Sequence, residues 1–435
     1  MSKRFLTFLI VLCGAAAVSA AEPKTTLTFG DALRRALEVN NSVEQARAEI
    51  GVATATKDQL LSAVMPRITL DGALTRNNME QTFGEGSDAV TILPRNDWNY
   101  SIVLKQPVFA GRRELRAYSQ AKLGVENARE SALGVEDATL LNVASNYLAV
   151  VNADRRIDVE KRNIELAEKR LTQAKAFRDA GEVTNVDVLR AETAMKAAQR
   201  LMAAAEQQRE HAATRLREAL DLDGALEVVA PERAVAALPD EATLIQRAES
   251  SRPDVDFAEN NLRIAKLEVS KQFGYWLPTV TFEGGFVQQK VPFPAGTHAF
   301  GALRFNVPLF QSGEVVARMR GAKEREKQAV AALDAARLAA REDVRRALAD
   351  LHSAGTGLGL AKEQLEAAQA EYEQSFELYR AQEATSLDVT ASETSLADAR
   401  RAVAEETLNR DLAELRVWYA AGSIKEATGI TQESR

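Results

Sequence analysis

Few residues in this 435-residue chain have the type and spacing that covalent or metal chemistry needs. The three histidines, His211, His298 and His352, are scattered without ligand-like spacing and read as surface or seam residues. Gly355-Thr-Gly-Leu-Gly359 has glycines like those of a phosphate-cradling loop. It lacks the preceding strand and the lysine, and it sits inside a long helical register, so it reads as a close-packing point. There is no nucleophile elbow and no zinc-protease helix. Carboxylates are plentiful but interleaved with lysine and arginine, the pattern of solvated helix faces. The sequence reads as that of a non-enzyme with no cofactor. Two acids stand apart, in Thr184-x-x-Asp187 and Thr385-x-x-Asp388. This spacing makes the threonine a helix N-cap and puts the acid in the first turn, where it opposes the helix dipole.

These acids belong to very long helices. Between Arg113 and Ala180 there is no proline, and only Gly124 and Gly134 interrupt the helix formers. At ~1.5 Å per residue such a helix reaches about 100 Å. Its apolar positions recur every seven residues at Ile157, Ile164 and Leu171, beside Ala153, Ala167 and Ala174. The same register returns at Leu358, Leu365, Tyr372 and Tyr379. The following helix carries Ala191, Ala198, Ala205 and Ala212 on one seam and Val188, Met195, Met202 and Leu216 on another. Sevenfold spacing predicts supercoiled helices, and two seams per helix predict partners on both sides. The tips of the helical hairpins are expected at 180–185 and 382–386, the second without a counterpart of Gly181. Periodicity alone also suits an ordinary antiparallel coiled coil.

Four segments instead alternate with period two. Ile68, Leu70 and Leu74 oppose Arg67, Thr69, Asp71 and Thr75, while Trp98, Tyr100, Ile102 and Leu104 oppose Asn99, Ser101 and Lys105. Val280, Phe282 and Phe286 oppose Thr281 and Glu283, and Leu303 and Phe305 oppose Arg304 and Asn306. Strands of about ten residues, apolar on one face and polar on the other, suit a membrane-crossing barrel with lipid outside and water inside. A small soluble sheet packed on a helix has the same alternation. Four strands cannot close a barrel, so lipid-facing strands require several chains, and three would supply twelve.

The elements occur twice. A shift of 212 lays Arg35-Ala36, Val43, Pro66 and Gly72 onto Arg247-Ala248, Val255, Pro278 and Gly284. A shift of 201 then lays Pro107, Phe109, Thr184 and Asp187 onto Pro308, Phe310, Thr385 and Asp388, which places an eleven-residue insertion between Pro66 and Pro107. The expected organisation is a signal peptide over 1–20, a first repeat over 21–220, a linking segment over 221–243, a second repeat over 244–420 and a tail over 421–435. The signal has Lys3-Arg4, the apolar run Phe5–Leu12 and the small-residue site Val18-Ser19-Ala20. Leu12 precedes Cys13, the only cysteine, where a lipoprotein signal would want a small residue, which disfavours lipidation. Losing Lys3 and Arg4 takes the net charge from −7 to −9, against a nucleic-acid partner. Beyond the signal no apolar run is long enough for a spanning helix.

Together these residues resemble the TolC-like outer-membrane efflux proteins, across essentially the whole mature chain. The resemblance rests on Leu104-x-Gln-Pro-Val-Phe-x-Gly111 and its echo Phe305-x-Val-Pro-Leu-Phe310, and on Met65-Pro66 and Leu277-Pro278 before the strands. It rests equally on Gly181-x-x-Thr-x-x-Asp-Val-Leu189 and Thr385-x-x-Asp-Val389. It implies a mostly helical fold, with long hairpins in an α-barrel and four strands per chain in a homotrimeric twelve-stranded β-barrel. It implies a location in the outer membrane extending into the periplasm, and a girdle formed by residues 222–244 and the C-terminal end. It further implies a periplasmic adaptor docked on the tips (Gly181, Thr184, Asp187, Thr385, Asp388) and, through it, an inner-membrane transporter. Asp388 would narrow the periplasmic aperture as a ring of carboxylates, with Arg380 and Glu383 as further candidates. Ala391 stands where the family can carry a second acid. The alternative is a periplasmic coiled-coil adaptor or spacer, against which stand the two long hairpins and few strands.

Overall fold

The computed structural model describes residues 25–84, 86, 89–231, 235–291, 296–381 and 383–430. The expected signal peptide and Cys13 lie outside these residues. The first half runs β1 (Thr25–Leu27), α1 (Phe29–Val39), α2 (Asn41–Ser62), β2 (Arg67–Arg76), β3 (Gln81–Phe83), β4 (Val90–Leu93), β5 (Asn96–Ala110), α3 (Arg113–Asp179) and α4 (Asn185–Leu220). After β6 (Leu226–Val228) the order of long elements repeats. It continues with α5 (Glu241–Ser251), α6 (Pro253–Phe273), β7 (Thr279–Gln289), β8 (Thr297–Asn306), α7 (Glu314–Arg380), α8 (Ser386–Ala420) and the short α9 (Ile424–Ala427).

Helices α3 and α7 are 67 residues each, as the proline-free stretches predict, and Gly355–Gly359 lies in uninterrupted α7. The alanine seams are buried at Ala153, Ala167, Ala174, Ala191 and Ala205, whereas Ile157, Ile164 and Leu171 are only half-buried. Near the end of α4 the buried position is Ala213, with Ala212 half-buried. A 3.6-residue helix drifts against a strict seven-residue repeat, which accounts for the slip. No helix among the described residues is long and apolar enough to cross a membrane.

The four long strands form one antiparallel sheet, ordered β2-β5-β7-β8. Its register places Ile68 opposite Leu104, Leu70 opposite Ile102 and Leu74 opposite Trp98. It continues with Ile102 opposite Phe286, Phe282 opposite Leu303 and Val280 opposite Phe305. With Tyr100, every apolar strand residue singled out in the sequence shares one face. That face is open: Leu74 is 90% exposed, Leu70 71% and Phe305 67%. Trp98, Leu104 and Val280 are half-buried, and Trp98 stacks on Tyr100 at 5.8 Å. β5 is 15 residues long rather than about ten, because a bulge between Pro107 and Phe109 lets pairing with β7 continue past a residue that has no N–H. The segment between β2 and β5 contains the β3–β4 hairpin.

Strand and helix meet at two glycines. A Cβ on Gly111 (φ +65°) would lie 2.2 Å from the Gly274 carbonyl oxygen, and one on Gly274 would lie 2.4 Å from that of Gly111. Any side chain at either place would force the β5–α3 and α6–β7 connections apart.

The main core lies at the waist of the molecule. Leu27, Phe29, Leu33, Leu140, Tyr147, Leu216, Leu220, Trp418 and Ile424 are packed together, and β1 pairs in parallel with β6 beside them. The single proton of the Tyr147 hydroxyl is shared between the carbonyls of Leu27 and Val229, and the hydroxyl oxygen accepts from the Val229 amide at 3.1 Å. Residues 424–427, expected as part of a tail, belong to this layer: Ile424 is fully buried where α9 folds back onto α3, while Ala421 is buried in an adjoining core with Leu244 and Val417.

Candidate functional site

The site is built where the two hairpins end side by side. α3 stops at Ala180, and Gly181 supplies the left-handed residue (φ +77°) that lets the Glu182 amide bond back to the Phe177 carbonyl. The second tip repeats this bond from Glu383 to Leu378. Each next helix opens on a threonine–aspartate pair. The Asp187 carboxylate accepts from the amide and hydroxyl of Thr184 at 3.2 and 2.9 Å. The Asp388 carboxylate accepts from the amide and hydroxyl of Thr385 at 2.9 and 2.7 Å, and the Thr385 hydroxyl accepts from the Asp388 amide.

The two acids then diverge. Asp388 is fully exposed, and the Thr385 hydroxyl, aided by the amide, holds its carboxyl below the ordinary range. Asp187 faces the other hairpin, where the Ser386 hydroxyl donates to it at 2.8 Å. That bond leads the causes that depress its pKa, followed by Thr184 and by Arg190. Both acids are therefore ionised at neutral pH. Arg380 is exposed and paired with Glu377 at 3.1 Å on its own helix, so the structure gives Asp388 no ion pair with it. Glu383 is exposed in the turn.

The residues that join the hairpins were missed by the sequence reading. Arg170, on α3 and 4% exposed, donates to the Ser386 carbonyl at 2.8 Å and to Thr390 and Glu393 on α8. Burial raises the Glu393 carboxyl, with Arg170 working in the opposite direction. About three turns back, Glu160 is almost fully buried and accepts from Arg401 at 2.9 Å, while Arg400 donates to Asn163 at 3.1 Å. The signal was present in the heptads, because Glu160 interrupts the Ala153, Ala167, Ala174 seam. A charge on a buried seam implies a charged partner on the facing helix. An apolar groove of about 600 Å³ runs over α3 between α4 and α8, lined by Leu166, Leu189, Ala194, Leu201 and Ala397.

Among the described residues no group of three or more His, Cys, Asp or Glu side chains is placed to hold a metal. The tips offer an exposed carboxylate at Asp388 and polar links between the two hairpins.

A family model described as outer membrane efflux protein matches the chain twice, over residues 32–221 and 244–423. Protein CyaE of Bordetella pertussis is 26% identical over 325 residues, 72% of this chain. The chain spans 65% of that relative's length. Among solved structures, CusC superposes with a TM-score of 0.79 at 16% identity, covering 91% of this chain and 92% of its own. A membrane protein from Pseudomonas aeruginosa gives 0.78 at 18% identity, covering 91% and 90%. The outer membrane protein VceC of Vibrio cholerae gives 0.75 at 15%, covering 91% and 96%. These three share the fold, mostly helical with long hairpins.

Proposed function

This chain belongs to the outer membrane efflux protein family, and we propose that it works as a homotrimeric channel-tunnel, a passive exit duct through the outer membrane and across the periplasm. The observation that carries this reading is the largely exposed apolar face shared by all four long strands. Hydrocarbon against that face leaves no water for the free edges of β2 and β8, so the sheet must close on itself. One chain supplies four strands and closure takes at least eight. Three chains give twelve.

The helices support the same assembly. Val330, Leu338 and Leu360 on α7 are exposed apolar residues on a hairpin whose other seam is already filled. Neighbouring copies are the partners we assign to them. In three copies Asp388 forms a ring of carboxylates at the periplasmic aperture, favouring cations and opposing anions through its field. Arg380 and Glu383 flank it. Gly181, Thr184, Asp187, Thr385 and Asp388 shape the tips on which a periplasmic adaptor docks, the apolar groove between α4 and α8 taking one of its helices. The adaptor links the duct to an inner-membrane transporter that provides the energy. Residues 1–20 serve as the export signal. The test is fractionation followed by reconstitution. The protein should sediment with outer membranes, migrate as a detergent-dependent trimer and form pores in planar bilayers. A water-soluble monomer would sink the proposal.

A further inference from the structure

The polar face of the sheet distributes its charges unevenly along the strands. Arg67 stands opposite Lys105, and Lys105 opposite Glu283. Arg304 lies two residues beyond Ala302, the partner of Glu283 on β8. Glu283 reaches Lys105 Nζ at 3.2 Å and Arg304 Nε at 2.5 Å, so one carboxylate serves two cations. Arg67 adds a third, exposed, cation. This level of the sheet, at the end joined to the helices, therefore carries an excess of two positive charges. The remaining acids on the face lie toward the loops, Asp71 opposite Ser101 and Asp97 opposite Thr75. They stand four and eight residues away, about 13 and 26 Å along the strands. Both separations exceed the ~8 Å Debye length at physiological ionic strength, so those acids do not cancel the basic level.

We propose that Arg67, Lys105 and Arg304 form a basic collar at the base of the barrel that selects for anionic solutes, those bearing carboxylate or phosphate. The inference rests on the three-chain duct proposed above, which turns this face to the lumen and raises the excess from two charges to six. Guanidinium groups present paired N–H donors that match carboxylate and phosphate oxygens. A ring of one sign within a low-dielectric wall raises the local concentration of the opposite ion. The collar is thus opposite in sign to the aperture assigned to Asp388, and a solute leaving the cell meets the acidic ring first.

The experiment uses full-length protein in planar bilayers across a KCl gradient, in an Asp388→Asn background that removes the tip charge. The double variant Arg67→Gln/Arg304→Gln should lower the anion-to-cation permeability ratio about threefold, and Glu283→Gln should raise it. Both differences should vanish near 1 M salt, where the Debye length falls to ~3 Å. An unmoved ratio in pores of native conductance overturns the collar and leaves the duct standing. Absence of pores from every chain, the unsubstituted one included, overturns the duct and the collar with it. Should the double variant alone fail to assemble, tripolyphosphate added on the loop side of the unsubstituted pore answers the same question. Block that high salt relieves supports the collar, and no block overturns it.

Discussion

The waist and the tips of this molecule are held together by different physics. At the waist, large side chains from α1, α3, α4, α8 and α9 fill one dry core around Tyr147. At the tips, small alanine clusters are supplemented by a few polar links between neighbouring hairpins, through Arg170 and through Ser386 to Asp187. Apolar burial is roughly additive and insensitive to direction, whereas a polar link is lost once its geometry changes. The contrast predicts that the tips yield before the waist does.

Tyr147→Ala tests the rigid side and should have the largest effect. Removing a fully buried aromatic ring and its hydrogen bonds should cost about 3–5 kcal/mol, read as loss of folded protein or a large fall in Tm. Arg170→Ala should cost about 2 kcal/mol, the scale of hydrogen bonds to a charged group, and the cost should stay local. Hydrogen exchange should rise at Ser386–Glu393 while amides around Tyr147 keep their protection. A uniform rise over both regions would erase the contrast.

A third test uses pH at the waist. Burial pushes the Asp137 carboxyl up to about 6, partly opposed by Lys425 at 3.8 Å. The folded chain therefore holds this proton better than the unfolded chain, whose value is near 3.9. The resulting stability is fully present below that value and is lost as pH rises through about 6. Asp137→Asn should accordingly raise Tm near pH 7.5 and leave it unchanged near pH 4, where the wild-type group is already neutral. Equal effects at both pH values would refute the assignment. The smallest effect on stability is expected from Asp388→Ala. That change should raise single-channel conductance or shift cation preference and leave the waist untouched. Unchanged conductance and selectivity would reduce Asp388 to a helix cap.

What the sequence revealed follows the same divide. Long helices, strand faces and capping threonines follow from local periodicity, so α3, α7, the shared face of Ile68 and Phe286, and the bonds of Thr385 to Asp388 were legible. Features set by distant partners were not. The β1–β6 pair joins residues some two hundred positions apart, α9 owes its burial to α3, and Arg170 meets Glu393 only because two hairpins lie side by side. β5 ran past Pro107 because a bulge, which leaves no periodic trace, absorbed the missing donor. The pairing of Gly111 with Gly274 is a further case, since a motif glycine was visible but its counterpart on another connection was not.

The two unpaired borders of the four-stranded ribbon bear on how the protein is made. A single copy carries a row of unmet amides and carbonyls along β2 and another along β8, each a template for the wrong neighbour. Each orphaned group costs several kcal/mol in hydrocarbon, so a solitary copy has no stable resting place inside a bilayer. On the three-chain duct proposed above, biogenesis brings copies together before or during insertion, and slow delivery of even one copy would leave its siblings waiting in the aqueous compartment, where capture by a holding chaperone competes with fibrous misassembly.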